Sequence, residues 1–185
     1  MQPWEVIAIS VALILLGAAV VTLLYLRFRT QHLKLRFGPE YDRKVSELGN
    51  RSKAESELTR SEARVKNLKV RALSAADRTR FQDEWRLCQA RFVDDPPGAV
   101  NEADRILTDI MRARGYAVDD PYNRTTDVVA AYPNHATAYR EANEIVVRHG
   151  RGHSSTEDLR KAFVNFRALF DEILGGEDEK LKRVS

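Results

Sequence analysis

An unbroken apolar run near the N-terminus constrains this chain more than any other feature. Residues 6–26 read VIAISVALILLGAAVVTLLYL and carry no charged side chain. In a helix this run spans roughly 30 Å, the thickness of the hydrocarbon core of a bilayer. A signal peptide would add a basic segment before the run and a cleavage site after it, and a core helix so uniformly apolar would be unusual in so small a chain. The run therefore predicts a retained transmembrane helix.

The charges beside the run predict its orientation. Arg27, Arg29, Lys34 and Arg36 follow it directly, and no Lys or Arg precedes it. Because positively charged flanks stay on the cytoplasmic side of a membrane span, the chain should sit in the cell inner (cytoplasmic) membrane. We expect a single-pass protein with its N-terminus outside and its domain in the cytoplasm.

The net charge is distributed unevenly along the chain. Lys and Arg number 30 and Asp and Glu number 27, which gives a formal charge of +3. Residues 27–70 hold 12 basic and 6 acidic side chains, a local charge of +6 beside the predicted membrane. This pattern suits an anionic lipid surface better than a nucleic-acid partner, although the same charges are sufficient simply to set topology. The single cysteine, Cys88, permits no intramolecular disulfide, as in a reducing compartment.

Turn residues and composition divide the chain into four segments. We predict an anchor with its basic flank over 1–35, a charged stalk helix over 36–70, a helical bundle over 71–175 and a disordered charged tail over 176–185. Gly38-Pro39 should end the membrane helix, and Gly49-Asn50 should kink or break the stalk. The apolar stripes of the stalk are too short to indicate a coiled coil.

The segment from 71 to 175 carries helical periodicity without strand alternation. Apolar residues recur at spacings of three and four along successive stretches, and each stretch predicts an amphipathic helix with a buried face. The clearest stripes are Phe81, Trp85, Cys88 and Phe92; Val100, Ala103, Leu107 and Ile110; and Leu159, Phe163, Phe166, Phe170 and Ile173. Ser74, Asp95 and Asp120 are expected as N-caps, and Gly115 as a C-cap, with Gly175-Gly176 ending the last helix. The fold class is therefore all-α, with about five bundle helices and a buried Trp85.

Several short stretches resemble those of a widespread group of uncharacterised bacterial proteins described as hypothetical, membrane or secreted. The stretches are RFGPEYD at 36–42, ARFVDDP at 90–96 with AV at 99–100 and EAD at 102–104, MRARGY at 111–116, YR at 139–140 and RALFD at 167–171. The resemblance covers nearly the whole chain and implies a bacterial source, a single anchor and one helical domain. It implies no activity and no site residues.

Candidate chemistry is sparse, and each candidate has a structural alternative. Cys88 lies within an apolar stripe and is interpreted as a buried hydrophobe rather than a nucleophile. His149 and His153 have the spacing of a helical metal pair, but Gly150 and Gly152 lie between them and disfavour a helix there. His135 is most simply a surface residue.

Acidic and basic side chains give two further candidates. Asp94, Asp95, Asp119 and Asp120 form two acidic pairs beside prolines, where helix capping explains them without cation binding. Four arginines would make a clamp for phosphate or carboxylate if they converged, and solvated surface positions are the alternative. These are Arg112, Arg114, Arg140 and Arg167.

These patterns favour a binding protein over an enzyme. The leading hypothesis is a membrane-tethered interaction module with a protein partner, in contact with the lipid bilayer and with self-association left open. The alternative is a lipid-sensing or membrane-organising role of the basic juxtamembrane region. An enzyme ranks third, because no catalytic constellation of the required spacing is visible. We predict no catalytic, cofactor-binding or metal-binding residues and no nucleic-acid partner.

Overall fold

The computed structural model describes the backbone of residues 3–68 and 70–184 and the side chains of residues 13–68 and 70–175. Within these ranges the chain forms eight α-helices and one short 3-10 turn, without β-strand, so the predicted all-α class is confirmed. The helices are α1 Pro3–Phe37, α2 Pro39–Leu48, α3 Arg51–Asn67, α4 Ala75–Arg91, α5 Pro96–Arg114, α6 Pro121–Ala131, α7 Ala136–His149 and α8 Thr156–Val184, with the 3-10 turn at Pro133–His135. The chain divides into two compact units, residues 1–55 and 56–185.

Helix α1 carries the apolar run and continues well beyond it. Its large side chains from Leu13 to Phe28 are exposed around the helix rather than packed against protein. Among the described residues, the helical segment Leu13–Phe37 is long and apolar enough to cross a membrane. Exposure on all sides contradicts the alternative of a buried core helix, because such a helix would be covered by neighbouring elements. The side chains of residues 6–12, at the start of the predicted span, lie outside the described residues.

The first unit folds the predicted stalk into a compact arrangement around Glu55. The Oε1 atom of Glu55 accepts hydrogen bonds from Thr30 Oγ1 and Tyr41 Oη at 2.8 Å and from Arg51 Nε at 3.0 Å. Arg51 Nε also donates to Tyr41 Oη at 3.0 Å. We call these four residues the Glu55 cluster. It links the end of α1 to α2 and to the start of α3.

The expected single stalk helix over 36–70 is therefore replaced by two helices. Gly49 adopts a φ of +59° at the end of α2, a left-handed conformation that residues with a Cβ rarely take. Helix α3 then begins at Arg51 and runs into the second unit. The sequence predicts either a kink or a break at Gly49-Asn50, and the structure has a break there.

The second unit is a bundle with an aromatic centre. Trp85 on α4 is 2% exposed and stacks on Phe170 and Phe163 of α8, with ring centroids 4.4 and 5.3 Å apart. Phe81 and Cys88 of the same stripe are also buried. Helix α5 contributes the second predicted stripe, and α6, α7 and α8 complete the core. The predicted burial of Trp85 is confirmed, and α4 packs against α5.

The predicted capping residues lie at the ends of these helices. Ser74 Oγ accepts from the backbone N–H of Asp77 at 3.0 Å, and Asp95 Oδ1 accepts from that of Gly98 at 2.9 Å. Asp120 Oδ1 accepts from the N–H of Tyr122 at 3.0 Å, and Gly115 closes α5 at a φ of +93°. Side-chain oxygens at these positions satisfy N–H groups that have no partner within the helix.

The prediction that Gly175-Gly176 ends the last helix is wrong. Helix α8 continues through both glycines to Val184. Glycine costs a helix interior about 1 kcal/mol relative to alanine, which longer flanking stretches of good helix formers can tolerate. The sequence after the glycines, EDEKLK at 177–182, consists of such residues apart from Asp178. Ser185 lies outside the described residues.

Candidate functional site

A concave site on the bundle lies between α4 and α8. It has a volume of about 460 Å³. We call it the arginine cleft and define it by its lining residues: Arg78, Gln82, Trp85, Arg86 and Gln89 of α4, and Arg167, Phe170, Asp171, Leu174 and Gly175 of α8. Its size lies within the range of small-molecule and peptide-side-chain sites, roughly 300–1,000 Å³.

Helical periodicity places the polar lining on one face of each helix. Along α4, Arg78, Gln82, Arg86 and Gln89 succeed one another at spacings of four, four and three, so they share one face. This polar face lies beside the buried stripe that contains Trp85, so the aromatic core extends to the base of the cleft. The polar face and the stripe that contains Trp85 both belong to α4. Burial of the stripe therefore leaves the polar side chains as one wall of the cleft, with the aromatic rings at its base.

Arg167 joins the two walls. Its Nε donates to both carboxylate oxygens of Asp171 at 2.9 and 2.8 Å, and its Nη1 donates to Gln89 Oε1 at 2.7 Å. The guanidinium carbon lies 5.9 Å from the centre of the Trp85 ring, within the range of a cation–π contact. On the other side, Arg78 Nη1 donates to the backbone carbonyl of Leu174. These contacts hold two of the three arginines in place.

The cleft carries a net positive charge. Three guanidinium groups face a single carboxylate, that of Asp171, among the lining residues. Arg86 is 79% exposed and pairs through Nη1 with Asp83 at 3.1 Å. Guanidinium groups are planar donors that bind carboxylate or phosphate through two parallel hydrogen bonds. The arrangement can therefore bind an anionic group, and the aromatic floor can bind apolar atoms beside it.

The four arginines named from the sequence do not form one clamp through any described contact. Arg112 Nη1 pairs with Asp109 at 2.6 Å on the surface of α5. Arg114 is buried and donates to Tyr132 Oη at 3.0 Å and to the carbonyl of Ile173 at 3.4 Å. Arg140 lies on α7, and only Arg167 lines the cleft. Each contributes to a different part of the bundle.

The cysteine and the three histidines considered from the sequence lie outside the arginine cleft. Cys88 is buried with its Sγ 3.1 Å from the carbonyl oxygen of Ala99, and burial raises the pKa of its thiol to about 11. A thiol with so high a pKa is not a ready nucleophile at neutral pH, as the structural interpretation expects. His149 is the last residue of α7, and His153 lies in the loop after it. His135 lies within 3.7 Å of the Glu172 carboxylate.

The acidic pairs beside prolines divide between capping and surface positions. Asp95 and Asp120 are the caps already described, while Asp94 and Asp119 are exposed. Over the described side chains, no three His, Cys, Asp or Glu residues come together in a geometry that could hold a metal ion.

Two partly buried ion pairs on α6 were not found from the sequence. Arg124 donates to Asp104 Oδ2 at 3.3 Å and to Thr108 Oγ1, both on α5. Asp127 is fully buried and accepts from Arg64 Nε of α3 at 2.8 Å. Burial raises the pKa of both carboxyl groups, although each arginine opposes the shift. These pairs hold α6 between its neighbours.

The polar cleft residues of α4 were also not predicted from the sequence. Arg78, Gln82, Arg86 and Gln89 are ordinary surface residues by type, and only their spacing beside the Trp85 stripe marks them. That spacing was available in the sequence, but nothing in it indicates that α8 brings Arg167 opposite.

Comparison of the chain with protein-family models, with curated proteins and with solved structures finds no match in any of the three.

Proposed function

We propose that this protein is a membrane-tethered interaction module that recruits a protein partner to the cytoplasmic face of the inner membrane. The observation that carries the proposal is the exposed apolar surface of α1 from Leu13 to Phe28, attached to a bundle that has its own closed core. A continuous exposed apolar surface of this length is unfavourable in water and favourable in lipid. In this proposal α1 is the anchor, and the bundle is the part that binds. An enzyme is not proposed.

The binding surface in this proposal is the arginine cleft. It combines fixed guanidinium groups, glutamine side chains and an aromatic floor in a volume of about 460 Å³. Arginine and tryptophan are enriched among the residues that dominate the energy of protein interfaces. This composition supports recognition of a partner rather than chemistry on a substrate.

The orientation is tested by fusions at the C-terminus. With the basic residues Arg27 to Arg36 retained in the cytoplasm, an alkaline phosphatase fusion should be inactive and a fluorescent-protein fusion bright. An active phosphatase fusion would place the bundle outside the cytoplasm and refute the proposed topology.

The recruiting role is tested by site-specific photo-crosslinking in cells. A photoreactive amino acid at Gln82, in the cleft, should yield a discrete crosslinked species of higher mass. The same group at Arg91, exposed on the same helix but outside the cleft, is the matched control. Crosslinks that are absent from both positions, or equal at both, would count against the cleft as a partner site.

A second candidate is a lipid-surface role of the juxtamembrane region. The side chains of Arg27, Lys34 and Arg43 are exposed, and each could contribute about 1 kcal/mol near anionic headgroups. Against it, Lys44 is buried and Arg51 is paired with Glu55, so part of the local charge is already engaged. Flotation of residues 27–185 with anionic and with neutral vesicles separates the two functions, since equal partitioning to both would remove the lipid-sensing candidate.

A further inference from the structure

We infer that the arginine cleft binds an acidic protein segment, whose carboxylates pair with Arg78, Arg86 and Arg167 while an apolar side chain between them lies on the Trp85–Phe170 floor. The inference rests on the proposed function and assigns the chemistry of the partner. Three observations carry it: unused donor capacity, the spread of charge along the cleft and the aromatic base.

Two of the arginines retain donors that the fold does not use. Arg86 makes one ion pair, through Nη1 to Asp83, and its Nε and Nη2 make no hydrogen bond within the described residues. Arg167 uses Nε and Nη1, and its Nη2 makes none within the same set. A guanidinium with donors left over can bind a carboxylate without breaking its existing contacts. The cleft is therefore positioned for an added anion.

The charges are spread along the cleft instead of converging on one point. Arg78 and Arg86 are eight residues apart on α4, which separates their Cα atoms by roughly 12 Å at 1.5 Å of rise per residue. The two guanidinium groups also contact different partners, the Leu174 carbonyl and the Asp83 carboxylate, and share no described contact that would direct them to a single phosphate. An extended peptide advances about 3.3 Å per residue, so carboxylates about four residues apart match it. This spread favours an acidic segment over a small phosphorylated ligand.

The base of the cleft is aromatic. The rings of Trp85 and Phe170 are stacked with centroids 4.4 Å apart, and both residues line the cleft. Trp85 is 2% and Phe170 4% exposed, so only a small part of each ring is accessible from the cleft. That part offers dispersion contact to an apolar side chain that lies between two acidic ones. The lining thus fits a segment with alternating acidic and apolar residues, and a uniformly charged chain would leave the base unused.

Binding can be measured on the full chain in nanodiscs of uncharged lipid. A Trp4→Phe background leaves Trp85 as the only tryptophan, so its fluorescence reports occupancy of the cleft. The probe is an acetylated and amidated peptide with two glutamates four residues apart and leucines between them. The same peptide with glutamines is its control, and calorimetry gives the affinity independently of fluorescence.

The glutamate peptide should bind saturably, change Trp85 fluorescence and bind at least about tenfold more tightly than the glutamine peptide. Arg86→Gln should weaken binding about fivefold, and Arg86→Gln with Arg167→Gln by more than about tenfold. Arg91→Gln, an exposed arginine of α4 outside the cleft, should bind as the parent does. The thermal midpoint of each variant shows that the bundle is still folded.

Three results would overturn the inference. They are an absence of saturable binding, equal affinity for the two peptides, and equal losses in the Arg86 and Arg91 variants. Displacement of the peptide by inorganic phosphate at matched concentration would reassign the cleft to a simple anion site. If cleft-specific crosslinks persist in cells while the peptide does not bind, the interaction module stands and the acidic ligand is wrong; if the crosslinks fail, the proposed function fails with them.

Discussion

The contacts inside the first unit of this chain differ in kind from those inside the second. In the first, Glu55 accepts three hydrogen bonds, two of them from residues 25 and 14 positions away, and the side chains of Leu33, Phe37 and Ala54 are also buried there. In the second, the stacked rings of Trp85, Phe163 and Phe170 lie within a broad apolar core. A hydrogen-bonded centre specifies direction, while an apolar core supplies most of its stability through buried area. We therefore expect the stability of each unit to depend on a different kind of side chain.

The same difference appears in two buried carboxylates. Burial alone would raise the pKa of Glu55. The hydrogen bonds from Thr30, Tyr41 and Arg51 together outweigh burial and hold this pKa below its ordinary value. Burial raises the pKa of Asp127, and its single arginine partner only partly offsets the shift. The fold therefore favours the ionised form of Glu55 and disfavours that of Asp127.

The largest expected effect breaks the aromatic core. Trp85→Ala should destabilise the bundle by about 3–5 kcal/mol, because it removes a large buried ring and leaves a cavity between α4 and α8. Denaturant unfolding followed by circular dichroism measures the loss. Leu87→Ala, on the same helix but 72% exposed, should change stability by less than about 0.5 kcal/mol. Wild-type stability in the Trp85 variant would show that the stack does not centre the core.

The next effect tests the ion pair that holds α6. Arg64→Ala should cost about 2–3 kcal/mol, because it strands a fully buried carboxylate, while the 40% exposure of the Arg64 side chain tempers the loss. Adding Asp127→Asn should recover part of it, since a neutral amide is less costly to bury without a charged partner. A double variant less stable than Arg64→Ala would contradict this account.

A smaller effect should be confined to the first unit. Glu55→Gln replaces charge-assisted hydrogen bonds with neutral ones and should cost about 1–2 kcal/mol. Hydrogen exchange should accelerate over residues 30–55 and stay unchanged in α5. Glu47→Gln, at a half-exposed position on α2, is the control. Equal acceleration in both units would mean that Glu55 supports the whole chain and would remove the contrast.

The smallest expected effect is the opposite pH dependence of the two carboxylates. Stabilisation through Glu55 is present above its unfolded pKa of about 4.5 and is lost as the pH falls through the lower folded value. Asp127 has the reverse sign, because its contribution is greatest below the unfolded value of about 3.8 and is lost as the pH rises through the raised folded value. Stability against pH, compared between wild type and Glu55→Gln or Asp127→Asn, measures each contribution. Differences of the same sign would refute the comparison.

Regular periodicity made the bundle predictable and left its polar contacts hidden. The stripe from Phe81 to Phe92 and the caps at Ser74 and Asp120 are local patterns, so the sequence alone predicts them. The pairing of Arg64 with Asp127 joins residues 63 positions apart, and no local pattern encodes it. The same holds for the approach of Arg167 to Gln89, which completes the cleft.

Two differences between prediction and structure concern the stalk and the last helix. The sparse apolar content of residues 36–70 indicated a charged stalk helix, because hydrogen bonds to Glu55 give no signal in hydropathy. Gly175-Gly176 indicated a helix end, because single-residue propensity ignores the good helix formers on both sides. In the stalk, contacts 14 and 25 positions apart in sequence decided the outcome.

Helix α1 is unbroken from Pro3 to Phe37, a length of roughly 52 Å at 1.5 Å per residue. In the proposed topology a bilayer core would take about 30 Å of this length, and the remainder would extend beyond the membrane as a continuous helix that carries Thr30, Leu33 and Phe37. Helices tilt when the bilayer thins. Because Thr30 lies on that helix and donates to Glu55, we expect a change in tilt to be transmitted to the Glu55 cluster. In that topology the thickness of the surrounding lipid would be a mechanical input to the first unit.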